Sequence, residues 1–203
     1  MTEAEWLAFT EAYQPLIFAR EVASVRKLRL VAAAYAHWLQ SCPGYEDAKP
    51  CADLIERVAD QPVSVAELEE ELYARPDDWR LSHALGDENR VGNALSRLVW
   101  FAEVEFVQRQ ADPGIAHLHV QTLLHDIIGN PFQPVSPDPS WLTSTVVQLA
   151  EGIYTERAYD RLPVLVDALQ DAGCENADIL DHCRGPGPHV RGCWVVDLVL
   201  GES

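Results

Sequence analysis

Soft metal ligands are concentrated near the end of the 203-residue chain, where three of its five cysteines and two of its seven histidines lie. Four of these residues have eight, five and three residues between them: Cys174, Cys183, His189 and Cys193. Thiolate sulfur and imidazole nitrogen are the ligands that Zn²⁺ prefers, and four of them complete a tetrahedral site. The sequence therefore predicts a candidate Cys₃His zinc site, in which His182 is an alternative to Cys183.

A purely structural interpretation of the same segment stays open. The segment has no Cys-x-x-Cys pair, the spacing that makes most zinc sites recognisable. Reduced cysteine is also a small apolar residue that is often buried. In this interpretation Cys174 and Cys193 fill the core, and His182 and His189 cap helix ends. The glycines and prolines between residues 184 and 192 then form a rigid corner.

Other residues whose side chains could bind a metal or take part in catalysis do not form a recognisable site. His117 and His125 are two turns apart on a predicted helix, too far to bind one ion, and Asp126 diverges from His125 by about 100°. These histidines are expected at the surface or at the boundary of the core. Gly185-Pro-Gly-Pro188 lacks the lysine and hydroxyl of a phosphate-binding loop, and proline removes amide donors. No hydrolase motif occurs, so the sequence favours a protein that is not an enzyme.

Helical patterns dominate the elements that would position these residues. The capping-box patterns Thr2-Glu-Ala-Glu5 and Ser64-Val-Ala-Glu67 predict helix starts. Apolar residues at helical spacing predict the remaining helices, at about 28–39, 48–59, 82–109, 115–128, 143–154, 160–171 and 176–183. Residues 192–200 are rich in β-branched residues, but an isolated strand has no partner in such a protein, so we predict a buried final helix. The expected fold class is all-α, as an irregular multi-helix bundle or a helical-repeat-like stack.

The predicted domain organisation turns on a proline-rich segment. The segment from Asn130 to Pro139 contains four prolines, and aromatic residues flank it. We expect a rigid strap at about 129–141 that lies against the core. It would separate an N-terminal helical region, 1–128, from a C-terminal helical region, 129–203, that shares the same core.

The charge of the chain restricts its partners. Asp and Glu outnumber Lys and Arg by 32 to 15, a net charge of −17. Such a field repels nucleic acid and anionic membrane surfaces and attracts basic proteins. The chain start has no pattern of a secretory signal, and no apolar run approaches the length of a membrane span. We therefore expect a cytoplasmic protein with reduced cysteines and a basic protein partner.

Several segments resemble a large, uncharacterised paralogous family of planctomycete-type bacteria. The residues that carry the resemblance are Met1-Thr-Glu-Ala-Glu-Trp-Leu-Ala8, Arg26-Lys-Leu-Arg-Leu30, Gly129-Asn-Pro-Phe132 with Pro134, and His182-Cys-Arg-Gly-Pro-Gly-Pro-His-Val-Arg-Gly-Cys-Trp-Val-Val-Asp-Leu-Val-Leu-Gly201. Val164-Leu-Val-Asp-Ala-Leu-Gln-Asp-Ala-Gly173 is similar to the pattern of short repeat-companion domains. The resemblance spans nearly the whole chain and implies no catalytic residues.

These observations favour a non-enzymatic, acidic helical module that binds and regulates a protein partner. Two alternatives follow from particular features of the sequence. The C-terminal cysteines and histidines would make the chain a zinc-binding protein with a structural site, zinc being the one cofactor that the residues suggest. The charge would make it an inhibitor of a basic protein, in the manner of immunity proteins and antitoxins.

Overall fold

The computed structural model describes residues 1–9, 13–41, 49–61 and 114–202. These residues form nine α-helices and no strand, which confirms the predicted all-α class. The helices are α1 (Glu3–Leu7), α2 (Tyr13–Val22), α3 (Val25–Leu39), α4 (Lys49–Asp60), α5 (Gly114–Ile127), α6 (Ser144–Glu156), α7 (Leu162–Asp171), α8 (Ala177–Arg184) and α9 (Trp194–Leu200). Short 3₁₀ turns lie at Pro139–Trp141 and Tyr159–Arg161. Among the helices of these ranges, none is long and apolar enough to cross a membrane.

Side-chain caps explain where several helices begin. Both bonds of the predicted capping box are present at α1, where the Thr2 amide donates to Glu5 Oε2 over 2.7 Å and the Glu5 amide donates to Thr2 Oγ1. Thr143 accepts from the amide of Val146 at the start of α6. These oxygens satisfy amide donors that have no partner inside the helix.

Most predicted helices appear with ends shifted by a few residues. The final segment is helical, as α9, and its residues Val195, Val196 and Val199 are buried. The helix α2 has no counterpart in the sequence predictions. The predicted helices at Ser64 and at 82–109 lie outside the described residues.

The chain divides into two compact units, Met1–Leu124 and His125–Ser203. In the first unit α3 packs against α4, and apolar side chains of both helices are buried. The half-buried pair Arg26–Asp60, 2.9 Å from Nε to Oδ1, joins the start of α3 to the end of α4. The two helices therefore run antiparallel.

The second unit has its own apolar core. Helix α6 packs against α7 and α9, and α8 packs against α7 and α9. The core side chains include Val146, Ile153, Leu165, Leu169, Ile179 and Val195, and also the three cysteines Cys174, Cys183 and Cys193. The proline-rich strap contributes Val135 and Trp141 to this core. The prediction that the strap lies against the core is thus confirmed at these two residues.

Candidate metal centre

Four side chains of the second unit converge on one point: Asp126, His182, His189 and Cys193. One ligand atom of each lies within 4.8 Å of those of the other three. Asp126 stands at the end of α5, His182 in α8, His189 in the loop that follows, and Cys193 directly before α9. Residues far apart in the sequence therefore form a set of one oxygen, two nitrogens and one sulfur.

The glycines of the loop between α8 and α9 bring the two histidines together. A Cβ on Gly185 would lie 3.0 Å from the carbonyl oxygen of His182. Gly187 has a φ of +75°, and a Cβ there would lie 2.9 Å from the amide nitrogen of His189. A Cβ at Gly187 therefore requires its surroundings to shift, and a Cβ at Gly185 would be tightly packed. The chain can thus reverse over a few residues, and the rings of His182 and His189 lie 4.9 Å apart.

The distances between the ligand atoms are short. Asp126 Oδ1 lies 2.7 Å from His189 Nδ1 and 3.1 Å from His182 Nε2. The same Nε2 lies 3.3 Å from Cys193 Sγ. Zinc bonds of about 2.0–2.3 Å in a tetrahedral site place ligand atoms roughly 3.2–3.8 Å apart. A small outward movement of the side chains would therefore accommodate an ion.

Hydrogen bonds with the backbone hold Asp126 and His189 in place. The second oxygen of Asp126 accepts the amide of Val190 over 2.9 Å. His189 Nε2 lies 3.4 Å from the carbonyl oxygen of Gly185. Metal-binding histidines usually donate their other ring N–H to such an acceptor, which selects the tautomer.

The contacts of His189 indicate which of its ring nitrogens carries a proton. A carbonyl oxygen only accepts hydrogen bonds, so Nε2 of His189 carries a proton when it bonds to Gly185. In a neutral imidazole Nδ1 then presents a lone pair to the carboxylate of Asp126. That contact is favourable only if Nδ1 is protonated or if a cation lies between the two groups.

Burial and the cluster itself set the ionisation of these groups. Burial tends to raise the pKa of Asp126, but the hydrogen bonds from His182 and His189 outweigh it and hold that pKa below its usual value. Burial tends to lower the pKa of His189, and Asp126 reverses the effect, so this pKa is raised. Burial raises the pKa of the Cys193 thiol well above its usual value, and the Asp126 carboxylate adds to the rise. A bound cation would favour the thiolate instead.

Two of the four predicted zinc ligands belong to this group, and two do not. The structure brings His189 and Cys193 together. His182 takes the place of Cys183, the alternative that the sequence offers. Cys174 and Cys183 lie outside the group, buried in the core. Cys174 matches the interpretation of a buried cysteine as a small apolar residue, and Cys183, which that interpretation did not include, is buried in the same core.

Asp126 is the ligand that the sequence predictions missed as a candidate. The local pattern relates Asp126 only to its neighbour His125, whereas its partners lie 56 and 63 residues further along the chain. One signal was present, since Asp126 interrupts the apolar run Leu123-Leu-His-Asp-Ile-Ile128. A buried charge in such a run requires a partner.

A second group of possible ligands lies in the first unit, and ordinary hydrogen bonds account for it. His37 Nε2 lies 3.0 Å from Oε2 of the buried Glu56 and 3.6 Å from Oδ1 of the half-exposed Asp53. The side-chain nitrogen Nε2 of Gln40 lies 3.0 Å from His37 Nδ1 and donates to it. The remaining nitrogen then carries the proton and donates to Glu56, so this group needs no cation.

Comparisons with known proteins add no assignment. No protein family, curated protein or solved structure was found to match the chain. The resemblance noted from the sequence motifs stays a prediction.

Proposed function

We propose that this protein is a metal-binding module, and that a structural zinc ion on Asp126, His182, His189 and Cys193 holds its C-terminal unit together. The observation that carries the proposal is the convergence of these four ligand atoms within 4.8 Å. They come from the end of one helix, the body of a second, a loop and the start of a third. An ion at this point would cross-link segments that are distant in the sequence.

The donor set supports zinc in particular. Thiolate sulfur and imidazole nitrogen favour Zn²⁺ over Mg²⁺ and Ca²⁺, which take oxygen ligands. The charges also match, because one thiolate and one carboxylate neutralise a divalent ion while both imidazoles stay neutral. Deprotonation of the buried Cys193 is unfavourable without a cation and favourable with one.

The number and burial of the ligands support a structural ion over a catalytic one. Structural zinc sites have four protein ligands, whereas catalytic sites keep one position for water or substrate. Asp126 and Cys193 are buried, and the side chains of His182 and His189 are 16% and 12% exposed. Four protein ligands complete a tetrahedral ion and leave no open position for a substrate.

A cysteine-based hydrolase is less well supported. In a nucleophile–histidine–carboxylate relay, the two partners of the histidine bind its opposite ring nitrogens. Here Cys193 and Asp126 both face Nε2 of His182. Cys193 is also fully buried, so no substrate reaches its sulfur.

Cys183 is no better placed as a nucleophile. It lines a surface cleft together with His189 and Asp160. However, the two ring nitrogens of His189 face Asp126 and the carbonyl of Gly185. Burial raises the pKa of the Cys183 thiol to about 12, so the thiolate that attacks is absent at neutral pH.

The role that follows is that of a zinc-stabilised interaction module. The net charge of −17 favours a basic protein as the partner. Regulation or inhibition of that partner would then follow from occupying its basic surface.

Metal content of the full-length, untagged protein tests the proposal. We expect one zinc ion per chain by elemental analysis after purification without chelators. Cys193→Ser and Asp126→Asn should abolish it, while the matched variants Cys174→Ser and His37→Gln should retain it. Circular dichroism of every variant identifies any that does not fold.

Cobalt substitution gives a second measurement on the unmodified chain. We expect a thiolate-to-cobalt charge-transfer band and the visible bands of a tetrahedral ion. Wild-type protein that contains no metal and gives no cobalt band would overturn the proposal. The cluster would then be a hydrogen-bonded network centred on the Asp126–His189 pair.

A further inference from the structure

A surface cleft of about 290 Å³ adjoins the candidate metal centre. Two segments line it, residues 159–163 and residues 183–189. The cleft shares His189 with the centre, and its other wall is the Gly185-Pro-Gly-Pro188 loop between His182 and His189. Pockets for drug-sized molecules span roughly 300–1,000 Å³, so this volume suits a single side chain better than a cofactor.

The cleft offers hydrogen-bond acceptors and few donors. Pro186 and Pro188 have no N–H, and the amide of Gly185 already donates to His182. Within this described loop only the amide of Gly187 is left as a donor. The carbonyl oxygens of Pro186 and Gly187 accept no hydrogen bond from any described residue.

Asp160 adds a negative charge to these acceptors. Its side chain is exposed at the cleft and makes no ion pair with any described residue. The arginine that follows Asp160 in the sequence and the arginine within the second lining segment are engaged elsewhere. Arg161 pairs with Glu156 over 2.8 Å, and Arg184 donates to the side chain of Gln170.

Ring-bearing residues complete the lining of the cleft: Tyr159, Pro163 and Pro186. Tyr159 also packs against the core of the unit. Planar guanidinium groups stack on aromatic rings and donate in a fork to carboxylate and carbonyl oxygens. The charge of the whole unit acts in the same direction, since residues 125–203 contain twelve acidic residues against four arginines and no lysine.

We infer that this cleft binds an arginine side chain of a basic protein partner, with the guanidinium bound by Asp160 and by the carbonyls of the loop. The inference rests on the proposed metal centre, because two of its ligands, His182 and His189, hold the ends of the loop. It extends that proposal by naming the residue type that the module recognises.

Isosteric peptides test the inference on the full-length, zinc-loaded chain. The probe is acetyl-Gly-Arg-Gly-amide, and its control carries citrulline, which keeps the shape of arginine and lacks its charge. We expect the arginine peptide to shift the NMR amide signals of residues 159–163 and 183–189 in a saturable manner. The citrulline peptide should bind at least about tenfold more weakly, the effect of losing one charged hydrogen-bond pair.

A matched pair of protein variants locates the charge that matters. Asp160→Asn should weaken arginine-peptide binding by about five- to tenfold. Asp171→Asn removes an equal charge from an exposed position of the same unit outside the cleft and should change binding less than about twofold. Equal binding of both peptides, equal effects of both variants, or inorganic phosphate shifting the same signals would overturn the inference.

Zinc content, measured on the same samples, separates this inference from the proposal beneath it. A chain that holds zinc and fails to bind the arginine peptide overturns the inference alone. A chain without zinc that still binds the peptide at these residues overturns the metal centre and supports the cleft. Loss of both zinc and peptide binding in His189→Gln, with Asp160→Asn keeping its zinc, supports both.

Discussion

At the scale of single residues, the centre depends on one carboxylate that uses both of its oxygens. Asp126 Oδ1 faces the two histidines, while Oδ2 accepts the amide of Val190. The hydrogen bond from the Val190 amide holds the carboxylate in one orientation, so its other oxygen is directed at the cluster. A charge buried this deeply is stable only because several groups compensate it.

Two glycine substitutions should change stability in opposite directions. Gly187→Ala places a Cβ 2.9 Å from the amide nitrogen of His189 at a φ of +75°. We expect it to lower the free energy of unfolding by about 1–3 kcal/mol and to weaken zinc binding. Gly152→Ala in α6 meets nothing within 4 Å. It should raise stability by about 0.5–1 kcal/mol, because alanine favours helix. Urea unfolding of both variants checks the pair, and a neutral Gly187→Ala would contradict this account of the loop.

His119 should make the stability of the chain depend on pH. Burial lowers its pKa from 6.5 to about 4, and its ring stacks on Trp38 with 4.4 Å between centroids. In the unfolded chain this histidine takes up a proton at pH 6.5, whereas the folded chain resists protonation. The unfolded state therefore binds more protons between the two values, and stability falls as pH decreases through that window.

Urea unfolding at pH 7.5 and pH 5.5 measures this dependence. The loss of stability should be smaller in His119→Gln, which cannot be protonated, than in the wild-type chain. His117→Gln on the same helix serves as the control. An identical pH dependence in all three proteins would show that other groups cause it.

At the scale of elements, the start of α8 controls the position of His182. Asn176 Oδ1 accepts the amide of Ile179 over 3.1 Å and satisfies a donor at the helix end. The helix has only eight residues, so its stability is sensitive to its cap. The centre thus relies on a short element that needs external stabilisation.

Removal of this cap should affect both folding and metal binding. Asn176→Ala should cost about 1 kcal/mol of stability, the usual value for a lost cap. Zinc affinity should fall as well, because the fraction of chains with His182 in place decreases. Thr143→Ala, at the start of α6, removes a cap of the same kind from a helix that carries none of the four zinc ligands. It should lower stability and leave zinc affinity unchanged in a competition titration with a chelator.

At the scale of the whole molecule, zinc should act as a cross-link of the second unit. Any ligand that binds the folded state alone adds stability with concentration, about 1.4 kcal/mol for each tenfold rise in free ligand above Kd. The four ligands all belong to His125–Ser203. We therefore expect chelation to destabilise this unit in particular.

Hydrogen exchange measured with and without a chelator tests this expectation. Amides of α8, α9 and the loop between them should exchange faster after zinc removal, and Tm should rise with buffered free zinc. Amides of α3 and α4 should change much less. Uniform exchange across the chain, or a Tm independent of zinc, would contradict a structural ion in the second unit.

The all-α class and most helix positions of the described residues follow from local patterns in the sequence. The Thr2–Glu5 capping box, the Asn176 cap and the apolar spacing of Leu162, Leu165 and Leu169 each operate within a few residues. Local interactions of this kind are legible in a linear sequence. The sequence patterns do not predict helix α2, because Pro15 interrupts the helical pattern in its first turn.

The membership of the centre was decided by tertiary structure. The sequence already indicated soft ligands around the Gly/Pro corner, and His189 and Cys193 are among the converging side chains. The choice between Cys183 and His182 depends on which face of α8 turns toward Asp126, and Cys183 turns into the core instead. Asp126 enters the group only because the end of α5 lies against a loop 63 residues away. Spacing along the chain carries no information about such a contact, since packing of the whole unit determines it.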